Sequence, residues 1–132
     1  MIQKQKDLLL KDLCARLPHH VRCKIWLEDG KTEEGPLDFQ HNYGDVLQDA
    51  FYYDRIKDIK PYLRPMSSMT EEEIIEFNNI PSTKNYTIIE NDLPWDVAHY
   101  KQIDWLNKKM FDYRGLIEKG LAIEVTEENN PL

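Results

Sequence analysis

Cys14, His19, His20 and Cys23 fall within one short stretch near the start of the chain, and all four are zinc-ligand types. Their pattern, C-x4-H-H-x2-C, lacks the spacing of the common structural zinc sites. The flanking periodicity argues against a site as well. Cys14 falls on the apolar stripe of a predicted helix, and Cys23 on the apolar face of a predicted strand. His20 and Cys23 are three apart, so on a strand they point to opposite faces. No metal and no other cofactor is expected. Both thiols are read as reduced core residues.

Asp96 and His99 are three apart on a predicted helix and can touch. A carboxylate beside an imidazole is half of a general-base arrangement. No motif marks a nucleophile near them, so the pair reads as a surface ion pair and no catalytic residue is assigned. Asp45, Asp49 and Asp54 run through an aromatic segment without the spacing of a calcium loop, and read as solvated carboxylates. The five glycines form neither G-x-G-x-x-G nor G-x4-G-K, so no phosphate-cradling loop is expected.

Arg22, Lys24 and Trp26 share one side of the clearest predicted strand, opposite Val21, Cys23, Ile25 and Leu27. The segment 55–64 adds Arg55, Lys57, Lys60 and Arg64 against Asp58. Basic and aromatic side chains on a sheet face suit nucleic acid or an acidic peptide. The expected partner-binding residues are therefore Arg22, Lys24, Trp26, Lys57, Lys60 and Arg64. A competing reading is preferred for Trp26 itself. Helices must cover some face of the sheet, which would put Trp26 inside a second core layer with the charges at its rim.

The elements that carry these residues follow from pattern and punctuation. Leu9, Leu10, Leu13, Cys14 and Leu17 predict an amphipathic helix over 3–17, with Asp12 and Arg16 on its polar remainder and Pro18 ending it. Period two over 20–28 predicts the strand. Asp29-Gly30 predicts a hairpin, and Gly35-Pro36 a bulge or edge feature in the returning strand. Residues 37–66 read as short strands, with Pro61 and Pro65 flanking an edge strand. Thr70 and Glu73 form a capping box for a short helix that ends before Pro81. A second helix starts at Asp92-Leu93-Pro94 and runs to about Lys109, burying Val97, Tyr100, Ile103, Leu106 and Met110. Asp112 caps a final short helix over 113–119, and Gly120 is a left-handed stop. Leu121, Ile123 and Val125 alternate as a last strand, followed by a frayed polar tail at 126–132. The fold class is α+β in one domain, 1–132. It comprises an N-terminal helix, a small mainly antiparallel sheet or SH3-like barrel, and C-terminal helices packed on one side.

At 132 residues the chain can bury a core without staples. Its net charge is −7, and the charge is uneven. Residues 1–66 carry eleven basic and eleven acidic side chains, and residues 67–132 carry six and thirteen. A nucleic acid partner is disfavoured by this balance, most strongly for the second half. No apolar run is long enough to span a bilayer, and the first residues carry no secretory pattern, so the cytoplasm is the expected location.

Three blocks resemble an uncharacterised family of small proteins from phages and mobile elements of gut Bacteroidetes. They are Lys11 to Pro18, Ile59 to Glu73 (IKPYLRPMSSMTEEE), and the pair Asp104 to Asn107 with Phe111 to Glu124 (FDYRGLIEKGLAIE). The resemblance spans most of the chain in order, missing mainly 28–55 and 78–95. It implies a setting, the bacterial host's cytoplasm, and assigns no chemistry. The expected function is a non-enzymatic binding or interaction protein with a protein partner. The alternatives are an enzyme with an unrecognised site, a hydrolase or nucleotide-processing activity, and a nucleic-acid-binding accessory protein.

Overall fold

The computed structural model describes residues 2–37, 56–80 and 100–132, the side chains of Ile56 and Tyr100 excepted. Asp45, Asp49, Asp54, Asp96 and His99, and the elements expected over 38–55 and 82–99, lie outside the described residues.

The first helix, α1 (Gln3–Arg16), runs into a 3-10 turn at Leu17–His19 with Pro18 in its first turn. His20 closes that turn in the left-handed region (φ 56°), its N–H bonded to the Leu17 carbonyl. Leu9 and Leu13 are fully buried as expected, but Cys14 is exposed. The buried stripe continues through Asp12 and Arg16, both with 0% exposure. Their charges are tolerated because each is paired. Arg16 Nε donates to Asp12 Oδ2 at 2.9 Å, and Arg114 Nη1 donates to Asp12 Oδ1 at 2.8 Å. Arg16 Nη2 also donates to the Phe111 carbonyl at 2.6 Å. The helix is thereby bolted to the C-terminal segment by a buried ionic network rather than by the predicted apolar stripe alone.

Strands β1 (Arg22–Leu27), β2 (Thr32–Pro36), β3 (Ile56–Leu63) and β4 (Ile123–Glu124) form an open sheet in the order β2-β1-β3-β4. The first two pairings are antiparallel and the last is parallel, so the sheet is mainly antiparallel and the fold is α+β. The β1–β2 hairpin turns as its sequence requires. Gly30 sits at φ 86° and donates to the Leu27 carbonyl, while Asp29 Oδ1 accepts from the Lys31 N–H. Gly35-Pro36 lies on an edge strand, where a missing N–H breaks no ladder.

Pro61 does not lie in an edge strand: β3 is central. The Val125 N–H bonds to the Leu63 carbonyl, so Leu63, and by alternation Pro61, face the β4 side. Strand β4 pairs only with Tyr62 and Leu63. The absent N–H of Pro61 therefore points past its end, and a proline fits in a central strand without cost to the ladder.

The main core lies on one face of the sheet. Val21, Cys23, Ile25, Ile59 and Leu63 pack with Leu9, Leu13, Leu17, Leu116 and Leu121. Burial, with a smaller contribution from the nearby Asp12 charge, pushes the Cys23 thiol up to about 12, which keeps it neutral and inert.

Helix α2 (Glu71–Asn78) is capped as its sequence predicts, the Glu73 N–H donating to Thr70 Oγ1 and the Thr70 N–H donating to Glu73 Oε1, both at 3.1 Å. Glu73 has a second role that the capping pattern does not announce: Arg64 grips it with both terminal nitrogens, at 2.7 and 2.8 Å. Helix α3 (Tyr100–Lys108) buries Leu106 and also Trp105, which the predicted stripe omits, while Ile103 is half-buried. Trp105, Phe111 and Phe77 form a second aromatic cluster, and Trp105 Nε1 donates to Glu76 at 2.9 Å.

The helix expected over 113–119 is a pair of turns instead. Gly115 at φ 76° interrupts it, and Asp112 accepts from the Leu116 and Ile117 N–H groups at 2.8 and 2.9 Å. Gly120 is left-handed as expected (φ 72°), and nothing lies within 4 Å of a Cβ built on it. Gly120→Ala is expected to cost roughly 1 kcal/mol through backbone conformation alone. A denaturant titration checks this, and parental stability would mean that alanine accepts the turn.

The tail is exposed but tied. Thr126 and Asn129 bond reciprocally, and Asn129 Nδ2 donates to the Glu124 carbonyl at 3.1 Å. No helix among the described residues is long and apolar enough to cross a membrane.

Candidate functional site

Strand alternation puts Arg22, Lys24 and Trp26 on the sheet face opposite the main core. The register sets Lys60 beside Lys24, Asp58 beside Trp26, and Glu34 on the other side of Lys24. Trp26 is half-buried, not the fully buried anchor of a second core layer. The Lys24 ammonium stands 5.4 Å and the Lys60 ammonium 5.8 Å from its ring centroid. The ring quadrupole attracts both cations, so two lysines that would repel across the strand pair are gathered at one aromatic.

Glu34 is an acid beside Lys24, and it is partly committed. The Tyr62 hydroxyl donates to Glu34 Oε1 at 2.6 Å, while Lys24 Nζ is 3.9 Å from the same oxygen. Burial and then that hydrogen bond push the Tyr62 phenol up to about 12, so it remains a donor at neutral pH. The face thus presents Arg22, Lys24 and Lys60 around an aromatic centre, against Glu34 and Asp58.

The other two expected site residues sit elsewhere. Trp26 pairs with Asp58 and Leu27 with Ile56, which leaves Lys57 as the extra residue of a bulge, exposed at the start of β3. Arg64 is committed within the fold. Besides Glu73, its guanidinium stacks 4.2 Å from the Phe111 ring and donates to the Ser68 carbonyl at 3.2 Å. It acts as a joint between β3, α2 and the second aromatic cluster rather than as a free partner contact.

A feature the sequence does not announce adjoins this face. At the Arg22 end of β1 an open cleft of about 500 Å³ is lined by His19, His20, Arg22, Arg64, Lys108 and Lys109, with Met110, Val125, Asn130 and Leu132 completing its wall. Chain ends of several elements converge there: the 3-10 turn after α1, the start of β1, the end of β3 and the end of α3. His19 Nε2 lies 3.1 Å from Asp104 Oδ1. Among the described residues, no Asp or Glu side chain and no serine, threonine or cysteine lines the cleft.

His19 and His20 therefore belong to a basic cleft, while exposed Cys14 and buried Cys23 do not join them. Among the described residues no three His, Cys, Asp or Glu side chains converge as a metal site would need. The cleft escapes sequence reasoning because its cations come from segments up to ninety residues apart, and the helix dipole already accounts for Lys108 and Lys109. Comparison with protein-family models, curated proteins and solved structures yields no match, so the reading of this site rests on its geometry.

Proposed function

We propose that the protein is a small non-enzymatic binding protein of phage or mobile-element origin, acting in the host cytoplasm, whose sheet face takes an acidic segment of a protein partner. The observation that carries this reading is the half-buried Trp26 ring with two lysine ammoniums held over it on the sheet face opposite the main core. Each ammonium has three donors and needs none of them for the ring, so both remain able to bind carboxylates. A half-buried tryptophan with cationic neighbours has the composition of an interface anchor. Two cations already stand over the ring, which favours an anionic partner, and the net charge of −7 weakens the pull on a long polyanion. The origin and setting rest on the resemblance of the Ile59 to Glu73 and Phe111 to Glu124 blocks.

Trp26→Ala separates binding from folding. The substitution is expected to cost only about 1–2 kcal/mol in urea, below the roughly 3–5 typical of a fully buried tryptophan, and to abolish most partner affinity. Affinity purification from a gut Bacteroidetes lysate, with mass spectrometry of the parent and variant eluates, provides the comparison. An acidic protein recovered by the parent and lost by the variant supports the proposal. Recovery unchanged by the substitution places the partner surface elsewhere, and recovery of nucleic acid in its place favours the accessory-protein reading.

A further inference from the structure

The cleft at the end of β1 inverts the charge of the molecule that contains it. The chain carries −7, yet six basic or imidazole side chains line this one concavity and, among the described residues, no Asp or Glu does. Arg64 is neutralised by Glu73. Among the described residues, no carboxylate lies within ion-pair distance of Arg22, Lys108 or Lys109, the last of which rests 6.0 Å from the Trp105 ring. Cations along one wall repel one another, and a carboxylate set among them would relieve that. The helix dipole accounts for Lys108 and Lys109 at the end of α3. It accounts neither for Arg22, which comes from a strand, nor for the lack of Asp and Glu side chains along the described wall.

The backbone adds a separate observation. Among the described residues only two non-glycine residues have positive φ, His20 (56°) and Met110 (63°), and both line this cleft. Met110 is held in that conformation from both sides. Its N–H bonds to the Asn107 carbonyl at 3.2 Å, and its carbonyl accepts from the Arg64 N–H at 2.7 Å. Backbone strain of this kind persists where the surroundings over-determine it, and it clusters at ligand clamps.

From these we infer that the cleft binds a small phosphorylated molecule, with Arg22, Lys108 and Lys109 as its phosphate ligands. The arginine supplies a planar fork and the lysines mobile point charges, which together match the two negative charges and several acceptor oxygens of a phosphate group. The volume of about 500 Å³ is in the range of small-molecule sites and leaves room for an organic portion. Met110, Val125 and Leu132 offer that portion an apolar wall. The site is distinct from the Trp26 face, shares only Arg22 with it, and does not depend on a protein partner.

Isothermal titration calorimetry of the full chain with inorganic phosphate, pyrophosphate and ATP, at low salt, tests the assignment. All three bind one site, with pyrophosphate and ATP tighter than phosphate. Lys108→Gln with Lys109→Gln weakens each by about tenfold or more, because two of the three phosphate-facing charges are gone. Arg22→Gln, on a separate element, does the same, so a folding defect in one variant does not decide the result. Trp26→Ala leaves these affinities unchanged, which keeps this site separable from the sheet face. The assignment is overturned if none of the probes binds at millimolar concentration, or if affinity survives removal of the lysines. It is also overturned if sulfate binds as well as pyrophosphate, or if a single-stranded oligonucleotide outcompetes ATP at equal phosphate concentration.

Discussion

Asp12→Ala destabilises the protein by about 3–5 kcal/mol, the cost of breaking a buried ion pair by removing one partner. Asp12 is fully buried, and each of its oxygens takes a different arginine, Arg16 from its own helix and Arg114 from 102 residues away. Without it, a completely buried guanidinium keeps, among the described residues, the carbonyls of Phe111 and Leu106 and the Tyr113 ring at 5.3 Å. The loss exceeds what an apolar truncation of the same size would give, because the uncompensated charge stays in the core. Arg16→Ala should be similarly severe. The double variant should lose less than the sum of the two by about 0.5–3 kcal/mol, since each single change already breaks the shared contact. Chemical denaturation of the four proteins measures this cycle. Additive losses would show that Asp12 and Arg16 stabilise the fold independently, and an Asp12→Ala protein within about 1 kcal/mol of the parent would contradict the buried network altogether.

The second large effect depends on pH. The Arg64 bond, reinforced by the Thr70 N–H and hydroxyl and opposed by partial burial, holds the Glu73 carboxyl down at about 2 from an ordinary value of 4.5. A carboxyl depressed in the folded state adds stability that is fully present above its unfolded value and is lost as pH falls through its folded value. With roughly 1.4 kcal/mol for each pH unit separating the two, less some screening at groups that water still reaches, the pair contributes about 2–3 kcal/mol at neutral pH. Glu73→Gln retains the capping geometry and removes the charge. Its stability deficit should be constant above about pH 5.5, shrink from about pH 4.5 downward and vanish near about pH 2. Urea titrations of both proteins across that window test it. Parallel profiles would mean that the bidentate pair adds nothing and that Glu73 serves only as a cap.

Local signals in the sequence are decisive at several points where the physics is local. The hairpin at Asp29-Gly30 and the capping box at Thr70 and Glu73 each depend on residues within a few positions, and each forms as its residues dictate. The same is true of the left-handed stop at Gly120. Alternation along β1 correctly separates Val21, Cys23 and Ile25 from Arg22, Lys24 and Trp26, because strand parity has period two whatever the strand packs against. That parity brings four of the six expected partner residues, Arg22, Lys24, Trp26 and Lys60, onto one face.

Tertiary structure decides what depends on distant partners. Periodicity puts Asp12 and Arg16 in water and Cys14 in the core, and the structure reverses all three, because Arg114 and the Phe111 carbonyl make burial of those charges tolerable. Arg64 looks like one of a run of surface cations in the sequence, yet Glu73 and Phe111 enclose its guanidinium in the fold. Pro61 looks like an edge residue because its tolerance in a central strand depends on where β4 stops. The cleft is the clearest case. His19, Arg22, Arg64 and Lys108 are ordinary residues in their own segments, and electrostatic potential is a property of where side chains meet in space, so their shared field exists only once the ends of four elements have been brought together.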